Sequence, residues 1–248
     1  MQALPAAAPL RYAPLAVTDL IRTVPETGST NDDVAALAAA GAPEGLWLRA
    51  EAQAGGRGRQ GRAWRSPPGN LYASTLVRLR PGDPPAPTLA LVAAVALQEV
   101  ASVSAPGASI RIKWPNDLLS GPAKLAGILL ERSGEAVVIG FGVNLAHFPE
   151  DIERPATSLA ALSGAAPDPA AFLELLAESF ARRLSTWRGA GLGPIRTAWL
   201  AAAHPIGTAL KTSEGEGLFD GLDPNGALRL RLAYGSLRTI HAGDVFLI

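Results

Sequence analysis

Apolar residues recur along this chain in two rhythms, one of about 3.6 residues and one of two. From Asn31 to Ala40 alanine, valine and leucine return at helical spacing. They follow Ser29-Thr30 and the acids Asp32 and Asp33, and lead into Gly41 and Pro43. Hydroxyls at the cap, acids in the first turn and a closing glycine predict a helix. Leu46–Ala52 reads as a strand, residues 55–69 as a loop, and Asn70–Arg80 as a second strand. A Pro-rich connector then leads into a long apolar helix over about Thr88–Val103. Ile110–Trp114, Leu125–Arg132 and Glu135–Val143 alternate as strands do, and a Ser-Gly turn joins the last two. Helical spacing returns at Phe172–Trp187 and, more briefly, at Pro194–Ala203. Beyond His204-Pro205 glycines become frequent, Asp223-Pro224-Asn225-Gly226 marks a turn, and Leu228, Leu230 and Leu232 alternate. These patterns predict an α+β chain: a mixed sheet covered on one side by helices, then a small β-barrel, with a boundary near 205 separating 1–205 from 206–248.

Composition narrows the classes of function. Lys and Arg total 22 and Asp and Glu total 22, so no net field draws the chain to DNA or to an anionic membrane. Any basic chemistry must be local. With no cysteine, disulfides, thiolate nucleophiles and Cys-ligated zinc are excluded, and three scattered histidines argue against a His-based metal cluster. Met1–Pro14 lacks the charged start and apolar run of a signal peptide. The longest apolar stretch, Leu89–Leu97, is well short of the roughly 20 residues that span a bilayer. A cytoplasmic protein with no membrane partner is expected.

The most informative segment is Gly55-Gly56-Arg57-Gly58-Arg59-Gln60-Gly61-Arg62-Ala63-Trp64. It contains G-x-G-x-x-G, yet a dinucleotide fingerprint needs a helix to open inside the motif. Here Ser66-Pro67-Pro68-Gly69 follows, which forbids that helix, and no Gly-Lys-Ser/Thr marks a Walker loop. What remains is a glycine-hinged loop bearing three arginines, whose forked donors match phosphate and carboxylate oxygens. Anion capture is the chemistry implied; a solvated basic loop is the plainer alternative. Trp64 reads either as core or as a platform for a purine base. In Ile110-Arg111-Ile112-Lys113-Trp114, alternation turns the isoleucines and Trp114 to one face and the cations to the other. Pro115-Asn116-Asp117 is a turn signal in its own right.

The segment Glu51–Trp64 closely resembles the adenylate-binding loop of biotin protein ligases. Four more segments resemble that family in the same order: Ser29-Thr30-Asn31, Lys113-Trp114-Pro115-Asn116-Asp117, Lys124-Leu125-Ala126-Gly127-Ile128-Leu129-Leu130-Glu131 and Gly140-Phe141-Gly142-Val143-Asn144. The resemblance extends over residues 20 to 248 and implies a class II synthetase-like catalytic domain with an SH3-like C-terminal barrel. It implies ATP-dependent transfer of biotin, through biotinyl-5′-AMP, to a lysine of a carboxylase's biotin carboxyl carrier domain. The obstacle in the first step is the meeting of two anions. Unit charges 4 Å apart repel by ~1 kcal/mol in water and ~4 kcal/mol at a protein-like dielectric, so fixed cations must offset them.

By this resemblance Lys124 and Arg59 are the catalytic groups, Lys124 lying by the carboxylate and the α-phosphate. Ser29, Thr30, Asn31, Gln53, Arg57, Gly58, Arg59, Lys124 and Gly127 bind biotin. Arg57, Arg59, Arg62, Trp64, Lys113, Asn116, Asp117, Lys124 and Asn144 hold ATP or the adenylate. Ser29 and Thr30 also read as helix caps, Asn116 as a turn residue and Gly127 as a bulge glycine. Mg²⁺ is the expected metal, but no carboxylate cluster identifies its ligands, and the triphosphate would carry it. One departure is Ala54-Gly55, where many members have a bulkier residue before the glycine.

Three rival readings differ in substrate or class. Lipoate–protein ligase shares the architecture but lacks the repeated Gly-Arg loop. A DNA-binding biotin sensor carries a winged helix–turn–helix, for which the 28 residues before Ser29 are too few, so no DNA partner is expected. A non-catalytic biotin-binding protein would not need phosphate-directed charges such as Lys124, Arg57 and Arg59. An isologous homodimer through the central sheet is compatible with the sequence, which does not decide it.

Overall fold

A computed structural model of the chain describes residues 20–151 and 154–248. The expectations placed on Met1–Pro14 lie outside these residues. Seven strands form the main sheet: β1 (Ile21–Thr27), β2 (Trp47–Gln53), β3 (Leu71–Arg78), β4 (Ile110–Lys113), β5 (Asp117–Ser120), β6 (Ala123–Ser133) and β7 (Ala136–Val143). Their spatial order is β1-β2-β3-β7-β6-β5-β4. β1 runs parallel to β2 and every other pair is antiparallel, which makes the sheet mixed as expected.

Helices cover both faces of this sheet, and here the expectation of one covered side is corrected. Alternation in β3 and β7 divides the side chains. Leu71, Ala73, Val77, Val137, Ile139, Phe141 and Val143 pack on one face with α2 (Leu89–Ser104), α4 (Pro169–Ala190) and α5 (Leu192–Ala202). Leu48, Leu76 and Val138 point the other way, onto Val34 and Ala38 of α1 (Thr30–Ala39). The larger core contains the Trp47, Phe141 and Phe180 rings at centroid distances of 5.4 to 6.2 Å, a mutual edge-and-tilt packing favoured by their quadrupoles. α4 begins at Pro169, before the predicted Phe172, because the Asp168 carboxylate accepts from the amides of Ala170 and Ala171 at 2.9 Å. The run Ala86–Ser104 is long and apolar enough to cross a membrane, contrary to the shorter stretch read from sequence, yet 67% of its most apolar window is buried. It is the central core helix.

Three elements carried no clear pattern: β1, β5 and the short α3 (Leu159–Ser163). β1 is an edge strand with mostly exposed side chains, and β5 has only four residues, the first inside the Pro115-Asn116-Asp117 turn signal.

The C-terminal part folds as an antiparallel sheet of β8 (Ala209–Thr212), β9 (Gly215–Leu222), β10 (Leu228–Arg231), β11 (Leu237–Ile240) and β12 (Val245–Leu247), in the order β11-β10-β9-β8-β12. Among the described residues no ladder joins β11 to β12, so the expected barrel is a small β domain without closure by strand pairing. It is tied to the main body through Phe219 against Trp199, 6.3 Å between rings, and through the Trp114 indole, which donates to the carbonyl of Gly226 at 3.2 Å. These contacts set β12 beside the mouth of the cavity described next.

Candidate active site

Where α1 stops covering its face of the sheet, β7 and the adjoining part of β6 place glycines at Gly140, Gly142 and Gly127. The paired positions run Leu76–Val138–Glu131, then Ser74–Gly140–Leu129, then Tyr72–Gly142–Gly127. A Cβ on Gly142 would lie 2.7 Å from the Trp64 ring, and one on Gly140 would overlap the Asn31 side chain. Such glycines let other groups approach the sheet backbone closely. The hollow so formed is a cavity of about 480 Å³, within the range of small-ligand sites. All fifteen residues singled out from the sequence line it.

At one end stands the start of α1. Ser29 occupies the cap position with extended backbone, but its hydroxyl makes no capping bond, contrary to the cap reading. The Thr30 amide and hydroxyl donate to Gln53 Oε1 at 2.9 and 3.1 Å, while Gln53 Nε2 donates to Ser66 Oγ at 3.1 Å. Thr30 Oγ1 also lies 2.7 Å from Ser74 Oγ, which donates to Asn31 Oδ1 at 2.6 Å. Asn31 Nδ2 in turn donates to Glu131 at 2.7 Å. This polar chain, buried at Thr30, Asn31, Ser66 and Ser74, fixes donors and acceptors in one orientation, as recognition of a polar ring requires. Ser74 and Ser66 had no motif to expose them, and Glu131 closed the Lys124–Glu131 segment without a role of its own. Only strand alternation brings Ser74 to this face.

At the other end, the Asp117 carboxylate binds Lys124 Nζ at 2.7 Å and Lys113 Nζ at 3.1 Å. Burial pushes the Asp117 carboxyl up, but the charges of Lys124 and then Lys113 outweigh that and hold it below the usual carboxylate range. Two cations are thereby pinned with one counter-charge between them. Lys124 Nζ also lies 5.4 Å over the Trp64 ring. A Cβ on Gly127 would come within 3.2 Å of that ammonium. The β5–β6 register shift falls between Leu118 and Leu119, opposite Leu125, so Gly127 keeps space open and is not the bulge residue. The Trp64 indole N–H is buried without a partner, a donor left for whatever enters. Asn116 donates to the carbonyl of Ile128 at 2.6 Å and Asn144 to that of Thr157 at 3.0 Å, so both brace the walls.

The Gly-Arg loop crosses this cavity, and its arginines do not act alike. Arg57 turns to α1, where it forms a two-pronged pair with Asp32 at 2.5 and 2.7 Å. Arg59 reaches Asn116 at 3.4 Å and the carbonyl of Gly243 at 3.2 Å. Arg62 spans both Asp244 oxygens at 2.8 and 3.0 Å. Lys113 also donates to the carbonyl of Val245 at 3.0 Å. Gly243, Asp244 and Val245, which sequence reasoning missed, thus bring the C-terminal domain into the cavity wall. No acidic cluster supplies a metal site: among the described residues no three His, Asp or Glu side chains gather, and Asp117 is already matched by two lysines. These donors do not fit a protein-held divalent cation.

Comparison with known proteins identifies the family. Residues 27–144 match the biotin/lipoate A/B protein ligase family, and residues 210–248 match the biotin protein ligase C-terminal domain. The fold resembles a biotin protein ligase from Aquifex aeolicus in complex with biotin and ATP, with a TM-score of 0.82 and 25% identity over 92% of this chain and 99% of that one. A biotin–[acetyl-CoA-carboxylase] ligase of Paracoccus denitrificans is 42% identical, covering 89% of this chain and 97% of that protein. A ligase of the same name from Mycobacterium tuberculosis is 36% identical, over 90% and 86% respectively. The chain belongs to the biotin protein ligase family. Lipoate ligases enter only through the broader family that contains both.

Proposed function

We propose that this enzyme joins biotin to AMP and then to a lysine of a biotin carboxyl carrier domain, with the cavity residues in the following roles. The observation that carries the reading is the Lys113–Asp117–Lys124 triplet lining one cavity with the hydrogen-bonded chain of Gln53, Thr30, Ser74 and Asn31, beside Ser29. One end suits a polar ring and the other suits phosphate, so a carboxylate between them meets Lys124.

In the first step a biotin carboxylate oxygen attacks the α-phosphorus of ATP. The new O–P bond forms as the bond to the β-phosphate oxygen breaks, and pyrophosphate leaves. Lys124 and Arg59 offset the repulsion of the two anions and the charge gathered at the transition state. Arg62 and Lys113 hold phosphate oxygens, exchanging the protein acceptors Asp244 and Val245 for them. Trp64 supports the adenylate on its ring and by its unpartnered N–H, with Asn116, Asp117 and Asn144 holding the surrounding wall. Gly58 and Arg57 carry the loop over biotin, and Gly127 leaves room for it. In the second step the neutral amine of the acceptor lysine attacks the anhydride carbonyl, AMP leaves, and the amine sheds a proton. Lys124 again faces the departing phosphate. Mg²⁺ would enter with ATP and offset part of its charge, since the described residues offer no carboxylate set to hold it.

Residues 1–205 form the catalytic unit and 206–248 the small domain that completes its wall. The reading places the protein in the cytoplasm with no membrane or DNA partner. All fifteen site residues come from one chain, so a homodimer is not needed to complete the cavity. The test is acid-dependent exchange of labelled pyrophosphate into ATP. Exchange with biotin and not with lipoate is expected; exchange with lipoate alone, or with neither, overturns the reading.

A further inference from the structure

The first loop arginine has a different setting from the other two. The side chain of Arg57 is paired on both prongs with Asp32, and its Nη2 lies 3.7 Å from Glu131 Oε1. The hydrogen bonds to Arg57 hold the Asp32 carboxyl below its ordinary range. Asp32 directly follows Ser29-Thr30-Asn31 in the first turn of α1, so the turn that presents the ring-binding groups also holds the loop. Glu131 strengthens the connection, because its second oxygen accepts from Asn31 Nδ2 at 2.7 Å. At its root the loop is also fastened by backbone bonds, from the Ala54 amide to the Thr27 carbonyl at 2.9 Å and from the Gly55 amide to the Gly28 carbonyl at 2.8 Å. Beyond Gly56 the Gly58 amide bonds to the carbonyl of Arg62 within the loop, so the Arg57 side chain is what ties this outer part to α1.

We propose that Asp32, with Glu131 beside it, is a positioning residue that seats Arg57 and thereby sets how long the loop stays closed over the acyl-adenylate. The inference rests on the ligase reading above for its ligand, though not for its geometry. A planar guanidinium meeting a carboxylate on two prongs fixes direction as well as distance, which a single lysine contact would not. The pair is largely solvated, so its effect is limited: about three- to five-fold in the escape rate of the intermediate, the most an exposed pair supplies. It is a trim on retention and not a source of catalytic power.

Asp32 also favours α1 through the helix dipole, so loss of stability must be separated from loss of the seat. A double-mutant cycle in the full chain does this. Biotinyl-adenylate is formed on the enzyme, and its release into solution is timed for the wild type, Asp32→Ala, Arg57→Ala and the double variant. Asp32→Ala is expected to speed release three- to five-fold with the maximal rate of pyrophosphate exchange unchanged, to have no further effect when Arg57 is already alanine, and to be rescued by Asp32→Glu. Additive effects, or unchanged release, overturn the proposal. Limited trypsin cleavage after Arg57, Arg59 and Arg62 provides a readout independent of ligation. Faster cleavage in Asp32→Ala supports the seat, and equal cleavage rejects it, even if the wild type forms no adenylate and the ligase reading itself fails.

Discussion

The two faces of the seven-stranded sheet are made from the same strands and do opposite work. In β7, Val137, Ile139, Phe141 and Val143 fill the face beneath α2, α4 and α5, and all four are buried in one apolar cluster. The intervening residues are Val138, which meets α1, and then Gly140 and Gly142, which meet Asn31 and Trp64. On the first face a side chain is worth its burial, roughly 25 cal/mol for each Å² of apolar surface removed from water. On the second, the missing side chains are what leave space for a ligand. The difference teaches that one strand can serve stability and chemistry at once, since a period of two keeps the two sets apart.

The sharpest way to break the comparison is to remove charge from the open face while leaving the packed face alone. Lys124→Ala deletes a cation of the Asp117 pair, and Asp117 stays buried with Lys113 as its remaining partner. Ligation is expected to fall by about 10²- to 10³-fold, the usual loss when a preorganised transition-state charge is removed. The far-ultraviolet circular dichroism should stay that of the wild type. Unchanged turnover would remove Lys124 from the mechanism.

Adjacent residues of β7 sharpen the contrast further. Phe141→Ala empties a packed site between Trp47 and Phe180 and should cost about 3–5 kcal/mol of unfolding free energy, while the molecules that remain folded still bind ligand. Gly142→Val should do the reverse. Its Cβ would sit 2.7 Å from the Trp64 ring, so the ring must leave its bed, and biotin-dependent exchange is expected to drop more than ten-fold for about 1–2 kcal/mol of stability. Urea unfolding beside exchange kinetics separates the two cases. If both variants lose stability and activity in parallel, the faces are not independent.

The packed face was the more legible of the two from periodicity. The α2 run, the alternation in Ile110–Trp114 and the Leu-rich spacing of α4 each announce a buried stripe. The open face was legible by another route, through the glycine and arginine spacing of the loop and the short polar segments around it. What neither route revealed has physical reasons. β1 is an exposed edge strand, so no hydrophobic alternation marks it. Asp244 is a lone acid in the irregular chain just before β12, and only the packing of β12 against the cavity brings it to Arg62. Arg57 shows the same limit: its residue type signals an anion partner, but whether that anion belongs to a ligand or to Asp32 is settled by the position of α1.

The smallest expected effect comes from a titrating group beside β4, at the edge of the sheet and outside the cavity lining. His204 lies just beyond α5, where Ala203 bridges to Ile112 of β4, and its Nε2 is buried without a partner. Burial, then the positive charges of Arg111 and Lys113, lower its proton affinity below the ordinary imidazole value of 6.5. The unfolded chain therefore takes up a proton near pH 6.5 while the folded protein does not. Stability tied to this group is full above pH 6.5 and declines as the pH falls towards the folded value, below which it falls no further. His204→Gln should flatten that part of the profile, read as the urea midpoint between pH 7.5 and about 5. Since the imidazole does not line the cavity, the ligand affinity of the folded protein should keep its wild-type pH dependence. A changed dependence in this variant would mean that the junction behind β4 and the open face communicate, and the division between packed and open faces would then hold for side chains but not for charge.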